Sequence, residues 1–174
     1  MNHHLPEEQR VLAIDPISRG FGFVVFEGPE RLIDWGVTYV QSDKHTKCLE
    51  RFAKLLKSYD PDVIVVEDTK GESSRRCKRV QLLLAGILKL AKEKGILTQV
   101  IAPSFVKQVF AASEAKNKEQ IAGILSAKHP ELLPHLPPHR KCWMSEDARI
   151  NIFDSAALAY GFFSTKAKKK DLIV

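Results

Sequence analysis

The stretch Val11–Glu27 reads VLAIDPISRGFGFVVFE. Val11–Ile14 is a short apolar run that ends at Asp15. After a turn, Phe21–Phe26 is a second, and beyond Gly28-Pro29 the segment Leu32–Val40 is a third. Each run is rich in β-branched or aromatic residues and is bounded by turn formers, the signature of strands. The links between them are short, and a short link can only join antiparallel neighbours. The opening forty residues therefore predict a three-stranded meander.

Working outward, the period changes. Over Lys47–Tyr59 the residues Leu49, Phe52, Ala53, Leu55 and Leu56 recur at helical spacing with lysines opposite. Asp60-Pro61 ends that helix, because the residue before proline avoids the α region. Val63–Val66 is an unbroken apolar run, expected of a strand buried on both faces, and it stops at Glu67-Asp68. A polar loop, Thr69–Ser74, leads to a helix over Arg75–Lys94 stopped by Gly95. Leu97–Ile101 is a fifth strand. A short helix over Ser104–Ala111, another over Lys116–Lys128 and a proline-rich loop over His129–Pro138 follow. Ser145 reads as the N-cap of a last helix running to about Phe163. The expected fold is α/β: a five-stranded mixed sheet, three antiparallel strands and then βα units, flanked by helices. Residues 1–10 are expected to be a flexible N-terminus, 11–165 a single domain, and 166–174 a basic tail, mobile over Lys166–Lys170.

The chain has 174 residues, 44% hydrophobic and 28% charged, with a formal net charge of +6. That is the composition of a globular domain with a core of its own, and the positive excess is compatible with a polyanionic partner without requiring one. Cys48, Cys77 and Cys142 are odd in number and widely spaced, which argues against a disulfide framework and for reduced thiols in the cytoplasm. Met1–Arg10 lacks the apolar run of a secretory signal, and no stretch approaches the roughly 20 apolar residues of a membrane helix.

Three acids stand out by position. Asp15 ends the first strand, Glu67 ends the fourth, and Asp154 interrupts the apolar stretch Ile150–Phe163. Singly, such acids often do no more than end a strand or cap a helix. Together they mean more: parallel first and fourth strands would set Asp15 and Glu67 at one edge of the sheet, where ligands of α/β folds gather. An acid inside an apolar helix is costly unless it is paired or binds a metal. Clustered carboxylates suit Mg²⁺ or Mn²⁺, and two such ions about 4 Å apart serve phosphodiester hydrolysis.

The same segments resemble a family. VLAIDPISRGFGFVVFE is similar to the opening of the RuvC family, and DPDVIVVED (60–68) to the segment that carries its second acid. APSFVKQVFAASEAKNKEQIAGIL (102–125) resembles the family's Val-Lys-Gln segment and following helix, and DSAALAYGF (154–162) its last-helix signature. The resemblance runs from about Val11 to Phe163. It implies a ribonuclease H-like fold, a homodimer, and paired, Mg²⁺-dependent nicks in the strands of a four-way DNA (Holliday) junction. By the same comparison Asp15, Glu67 and Asp154 hold the metals. Two departures stand out: Ile17 replaces a glycine in the first turn, and Asn151 sits where the family often has a fourth acid. Asn151 lies one near-turn before Asp154 and is expected to face the metals as a neutral oxygen ligand or through a water. Asp147, two turns before Asp154 on the same expected helix, is the other candidate to complete the metal site, though far along the axis, and its plainer role would be to complement the helix dipole.

The run SSRRCKR (73–79) puts Arg75, Arg76, Lys78 and Arg79 at a helix start, where cations are disfavoured; phosphates near the acids would explain them. Lys107 and Lys118 fall in the lysine-bearing segments of the resemblance and are expected on the DNA. His129, His135, His139 and Cys142 have a loosely zinc-like spacing without the tight ligand pairs of a structural site. Phe21, Phe23, Trp143 and Met144 are expected to pack in the core, Trp143 and Met144 with the alternative of stacking on a base or meeting a partner subunit. Two competing readings are a YqgF-like nuclease that processes RNA, and a junction-binding protein in which Asn151 marks a lost metal site.

Overall fold

The computed structural model describes residues 9–69 and 76–171, with side chains to residue 167. Residues 1–8, Arg75 and the end of the basic tail lie outside the described residues.

Five strands form one mixed sheet: β1 (Arg10–Ile17), β2 (Gly20–Glu27), β3 (Arg31–Tyr39), β4 (Val63–Glu67) and β5 (Leu97–Ile101), in the spatial order β3-β2-β1-β4-β5. The meander is antiparallel as expected, and β1 pairs parallel with β4 and β4 with β5. Helices α1 (Lys44–Tyr59), α2 (Lys78–Glu93), α3 (Pro103–Ala111), α4 (Lys118–Lys128) and α5 (Ile150–Asp171) flank the sheet.

Strand alternation divides the core in two. Val11, Ala13, Val24, Phe26, Val63 and Val65 face α5, where Ile152, Phe153, Ala156 and Ala159 meet them. Leu12, Ile14, Val25, Ile64 and Val66 face Phe52 and Leu56 of α1 and Leu83 and Ile87 of α2. β1 and β4 are covered on both faces, which is why their sequences are continuous apolar runs. Phe21 and Phe23 are buried in the α1/α2 layer, as expected of core residues.

The differences from the sequence expectation lie at element ends. Asp60 does end α1, in a left-handed conformation (φ 42°) with its amide bonded to the Leu56 carbonyl; aspartate tolerates that geometry better than most residues. α2 begins at Lys78, not Arg75, so Arg76 precedes the helix. A short 3₁₀ helix, Pro130–His135, occupies part of the expected proline-rich loop. α5 begins at Ile150, so Ser145 is not its cap and Asp147 is not on it. The chain instead enters α5 through a tight turn in which Ile150 N–H donates to the Asp147 carbonyl. The tail expected to be mobile from Lys166 continues α5 to Asp171, with Lys166 hydrogen-bonded to Gln9. Among the described residues, no helix is long and apolar enough to cross a membrane.

Candidate metal and nucleic-acid site

The parallel register of β1 and β4 runs Val11↔Val63 through Ile14↔Val66. One further step sets Asp15 beside Glu67. Residues in register on parallel strands share a face, and for this pair it is the face of Val63 and Val65, covered by α5. Asp15 does not end its strand as the sequence suggests: β1 continues to Ile17, with Asp15 paired to Gly22 of β2.

Gly22 explains how α5 reaches the acids. A Cβ on Gly22 would lie 2.3 Å from the Asn151 carbonyl oxygen and 2.7 Å from the Asn151 Cβ. Only a residue without a side chain lets the first turn of α5 settle on the sheet here. That close approach seats the helix with Asp154 one turn later, near enough to Asp15 for its charge to be felt there. Burial, and then the charge of Asp154, push the Asp15 carboxyl up.

Two cations lie among the acids. The Arg76 guanidinium bridges β1 and β4: Nη2 donates to Asp15 Oδ1 at 2.8 Å and to Glu67 Oε2 at 3.1 Å, and Nε donates to Glu67 Oε1 at 3.2 Å. Its Nη1 donates to the Pro16 carbonyl at 3.3 Å. Lys118 Nζ, from the first turn of α4, donates to Asp154 Oδ2 at 2.6 Å and stands 3.5 Å from Glu146 Oε1. The arrangement is thus a row of acids alternating with positive groups, fed by β1, β4, α4, α5 and the segments before α2 and α5.

The electrostatics are under tension. Asp15 is 1% exposed, and its second oxygen, Oδ2, is buried with no hydrogen-bond partner among the described residues. Such an unmet acceptor costs about 1–3 kcal/mol. Burial, with Asp154 and Glu67 adding repulsion against the pull of Arg76 and Lys118, raises the Asp15 carboxyl to about 7. Burial likewise raises Asp154, although Lys118 works against it. Burial alone would lower Lys118 and Arg76; the attraction of Asp154 for the first and of Asp15 and Glu67 for the second outweighs it and raises both.

These residues fit divalent cations by chemistry. Asp15, Glu67 and Asp154 supply hard oxygen donors, one buried oxygen is orphaned, and positive groups already stand between the acids. As arranged, no three His, Cys, Asp or Glu side chains among the described residues converge closely enough to hold an ion. Arg76 stands between Asp15 and Glu67, and Lys118 between Asp154 and Glu146, so an ion there would have to take the place of a side-chain cation.

The other sequence candidates separate. Asn151 is 8% exposed, and its Nδ2 donates to the Ala148 carbonyl at 2.8 Å. Asp147 is engaged by one arginine: Oδ1 accepts from Arg149 N–H and Nε, and Oδ2 from Nη2 at 2.6 Å. Lys78 and Arg79 are exposed on the first turn of α2, and Lys107 is exposed on α3; the ion pairs among the acids involve none of them. The histidines scatter. His129 is buried and hydrogen-bonded with the Tyr160 hydroxyl, His135 lies against Trp35, and His139 pairs with exposed Glu119. Trp143 is not core: it is 76% exposed, with Lys141 Nζ 5.3 Å from its ring centre, and Met144 is exposed as well. Sequence reasoning misses Glu146, which enters the cluster through Lys118, because an N-cap at Ser145 would place it on a helix.

No family model matches the chain. The crossover junction endodeoxyribonuclease RuvC of Akkermansia muciniphila is 28% identical over 127 residues, which span 68% of this chain and 76% of that protein. RuvC of Thermus thermophilus superposes with a TM-score of 0.68 at 20% identity, over 92% of this chain and 97% of that one. The yeast mitochondrial Holliday junction resolvase gives 0.69 at 16% identity, over 97% and 83%. The fold is therefore that of RuvC, a ribonuclease H-like sheet with its flanking helices, and the sequence is RuvC-like over two thirds of its length.

Proposed function

From a RuvC-like chain in which Asp15, Glu67 and Asp154 share one cluster with Arg76 and Lys118, we infer a structure-selective DNA endonuclease that resolves four-way junctions by metal-dependent phosphodiester hydrolysis. One observation carries this reading: Asp15, Glu67 and Asp154, separated by up to 139 positions in the sequence, are drawn into one cluster by strand register and the close approach at Gly22, with Arg76 and Lys118 between them. One of them retains a buried oxygen unmet among the described residues. A fold does not need three acids there for stability, since burial raises two of them. Strongly perturbed carboxyls in such a position suit a catalytic centre.

Asp15, Glu67 and Asp154 would hold Mg²⁺, with Mn²⁺ able to substitute. When bound, such ions activate water and neutralise charge on the phosphate. The chain's own contribution is positional. Asp15 sits in the rigid centre of the sheet, and Asp154 on a helix locked to β2. Arg76 and Lys118, once exchanged for ions, are partly exposed cations beside the acids, suited to phosphate oxygens of the bound strand. Exposed Lys78, Arg79 and Lys107 extend a positive surface suited to branched DNA, and Arg75 belongs to the same basic run. The protein acts in the cytoplasm as a homodimer, which supplies two centres for two strands.

The test is a synthetic four-way junction labelled on each strand. With Mg²⁺ the wild-type protein is expected to cut symmetrically paired strands, and Asp15→Asn to bind the junction but not cut it. The same assay weighs the non-catalytic reading, which the Arg76 and Lys118 ion pairs favour: a junction shifted in mobility and never cut, at any Mg²⁺ or Mn²⁺ concentration, would mean that the two side chains have permanently replaced the ions. Cleavage of RNA with indifference to the junction would instead support the RNA-processing reading.

A further inference from the structure

Two divalent ions carry four positive charges, whereas Asp15, Glu67 and Asp154 together carry three negative ones. Asn151, at the position of the missing acid, is neutral, and its amide is committed to the Ala148 carbonyl. Asp147 is neutralised by Arg149 through both of its oxygens. Glu146 is placed differently. Its carboxylate and that of Asp154 flank a single ammonium group, Lys118 Nζ, at 3.5 Å and 2.6 Å. Asp15, close enough to feel both Asp154 and Lys118, is buried with Oδ2 unpartnered among the described residues.

Glu146 is also accessible as the other acids are not. Its side chain is 49% exposed, against 19% for Asp154 and 1% for Asp15. With Lys118 it lines a cavity of about 630 Å³, walled by the segment from Pro137 to Asp147 and the start of α4. We propose that Glu146, carried by the loop ahead of α5 and not by the helix itself, is the fourth carboxylate of the centre and shares a divalent cation with Asp154 where the Lys118 ammonium now stands. The proposal rests on the metal-dependent reading above and adds a ligand to it.

The exchange is physically modest. Mg²⁺–oxygen bonds are about 2.0–2.1 Å, so the two carboxylates must close in from their distances to Nζ. Glu146 can do this by a change of rotamer, because its side chain is half exposed. Lys118, itself 53% exposed, is released toward the cavity and the phosphate backbone. Four carboxylates then balance two divalent ions, and loss of the helix-borne acid at Asn151 is offset by an acid eight positions before Asp154 in the chain.

The test is Mn²⁺ binding to the DNA-free protein, followed by the electron paramagnetic resonance signal of free Mn²⁺. Four proteins are compared: wild type, Glu146→Gln, Asp147→Asn and Asp15→Asn, each checked for folding by circular dichroism. Glu146→Gln is expected to lose a bound ion or to bind at least about tenfold more weakly, the loss typical even of groups that only orient a ligand. Asp147→Asn is expected to titrate as the wild type. If Glu146→Gln binds Mn²⁺ as the wild type does while Asp15→Asn does not, Glu146 is no ligand and the three-acid centre stands without it. If the wild type binds no Mn²⁺, the metal-dependent reading falls and the proposal falls with it.

Discussion

At the scale of the residue, Asp15 concentrates the conflict between folding and function. In the metal-free protein its carboxyl is raised from 3.8 to about 7, so between those values the folded chain holds a proton there more often than the unfolded chain. Stability that this group contributes at low pH is therefore lost as pH rises through the window, and the loss levels off above about 7. In chelator, urea melts should show wild type losing stability relative to Asp15→Asn from about pH 4 to 7, by at most about 1.4 kcal/mol per pH unit. Mg²⁺ should restore the wild type at pH 7 and not the variant. Parallel pH profiles for the two proteins would mean that Asp15 is not held in this state. Arg76 is the counterpart. It bonds Asp15 and Glu67 across 61 and 9 positions of sequence, and on the proposed reading it yields to an ion before turning to phosphate. Arg76→Gln is thus expected to tighten Mg²⁺ binding in the absence of DNA, read by calorimetry, and to weaken junction binding. Its log–log salt dependence should flatten by about 0.9 for each duplex phosphate no longer neutralised; Lys107→Ala should flatten the slope without changing Mg²⁺ affinity. An Arg76→Gln protein with weaker Mg²⁺ binding would show that the guanidinium supports the metal site instead of competing for it.

At the scale of the element, the site depends on how closely α5 lies on β2. Gly22→Ala places a methyl group against the Asn151 main chain, and neither backbone can easily give. Overpacking of this kind costs about 1–3 kcal/mol. Because the strain falls on the first turn of α5, it should also displace Asp154 from Asp15, so cleavage should fall much further than the melt alone explains. A variant that loses stability but cuts at the wild-type rate would uncouple the helix seat from the centre. The sequence disclosed much of this frame, and the reasons are local. VLAI, FGFVVF and VIVV announce strands because burial on the sheet demands unbroken apolar runs, and the in-register step from Ile14–Val66 to Asp15–Glu67 follows once β1 and β4 are parallel. What was not legible is non-local or idiosyncratic. Ser145 has the chemistry of a cap, yet the helix starts where its apolar face starts, at Ile150. Asp147 then spends its charge on Arg149 in the turn leading into α5, and Glu146 is left near Lys118, 28 positions away in sequence. Trp143, whose bulk argues for the core, is held outside by that same irregular loop. Nothing in the spacing of Arg76, Asp15 and Lys118 reveals that two side-chain cations fill the centre, because those pairings are made by the finished fold.

At the scale of the whole molecule, the proposed reading gives each chain one centre, whereas paired nicks in a four-way junction call for two centres related by symmetry. A closed two-fold dimer is the simplest way to supply them, and the surface offers a place for it. β5 is the edge strand beyond β4, and four of its five residues are exposed, among them Leu97 at 67% and Val100 at 44%. α2, which packs beside β5, turns Leu82 outward at 55%. An open edge bordered by exposed leucine and valine is a liability for a lone chain and an asset for one that pairs with its copy. It also lies at the opposite edge of the sheet from β3. Since α2 follows directly on Arg76, an interface there would tie the seat of one centre to the other subunit. Leu82→Glu tests this with little risk to folding, because the side chain already faces solvent. By sedimentation velocity the wild type is expected to be a dimer and the variant a monomer. On a junction whose two incisions can be scored separately, the variant should give isolated nicks in place of paired ones, while its Mn²⁺ binding stays as in the wild type because the acids are untouched. A Leu82→Glu protein that remains dimeric would move the interface away from α2. A wild type that sediments as a monomer, free and on the junction, yet still nicks in pairs would require two successive visits by single chains, and the two-fold dimer would have to be abandoned.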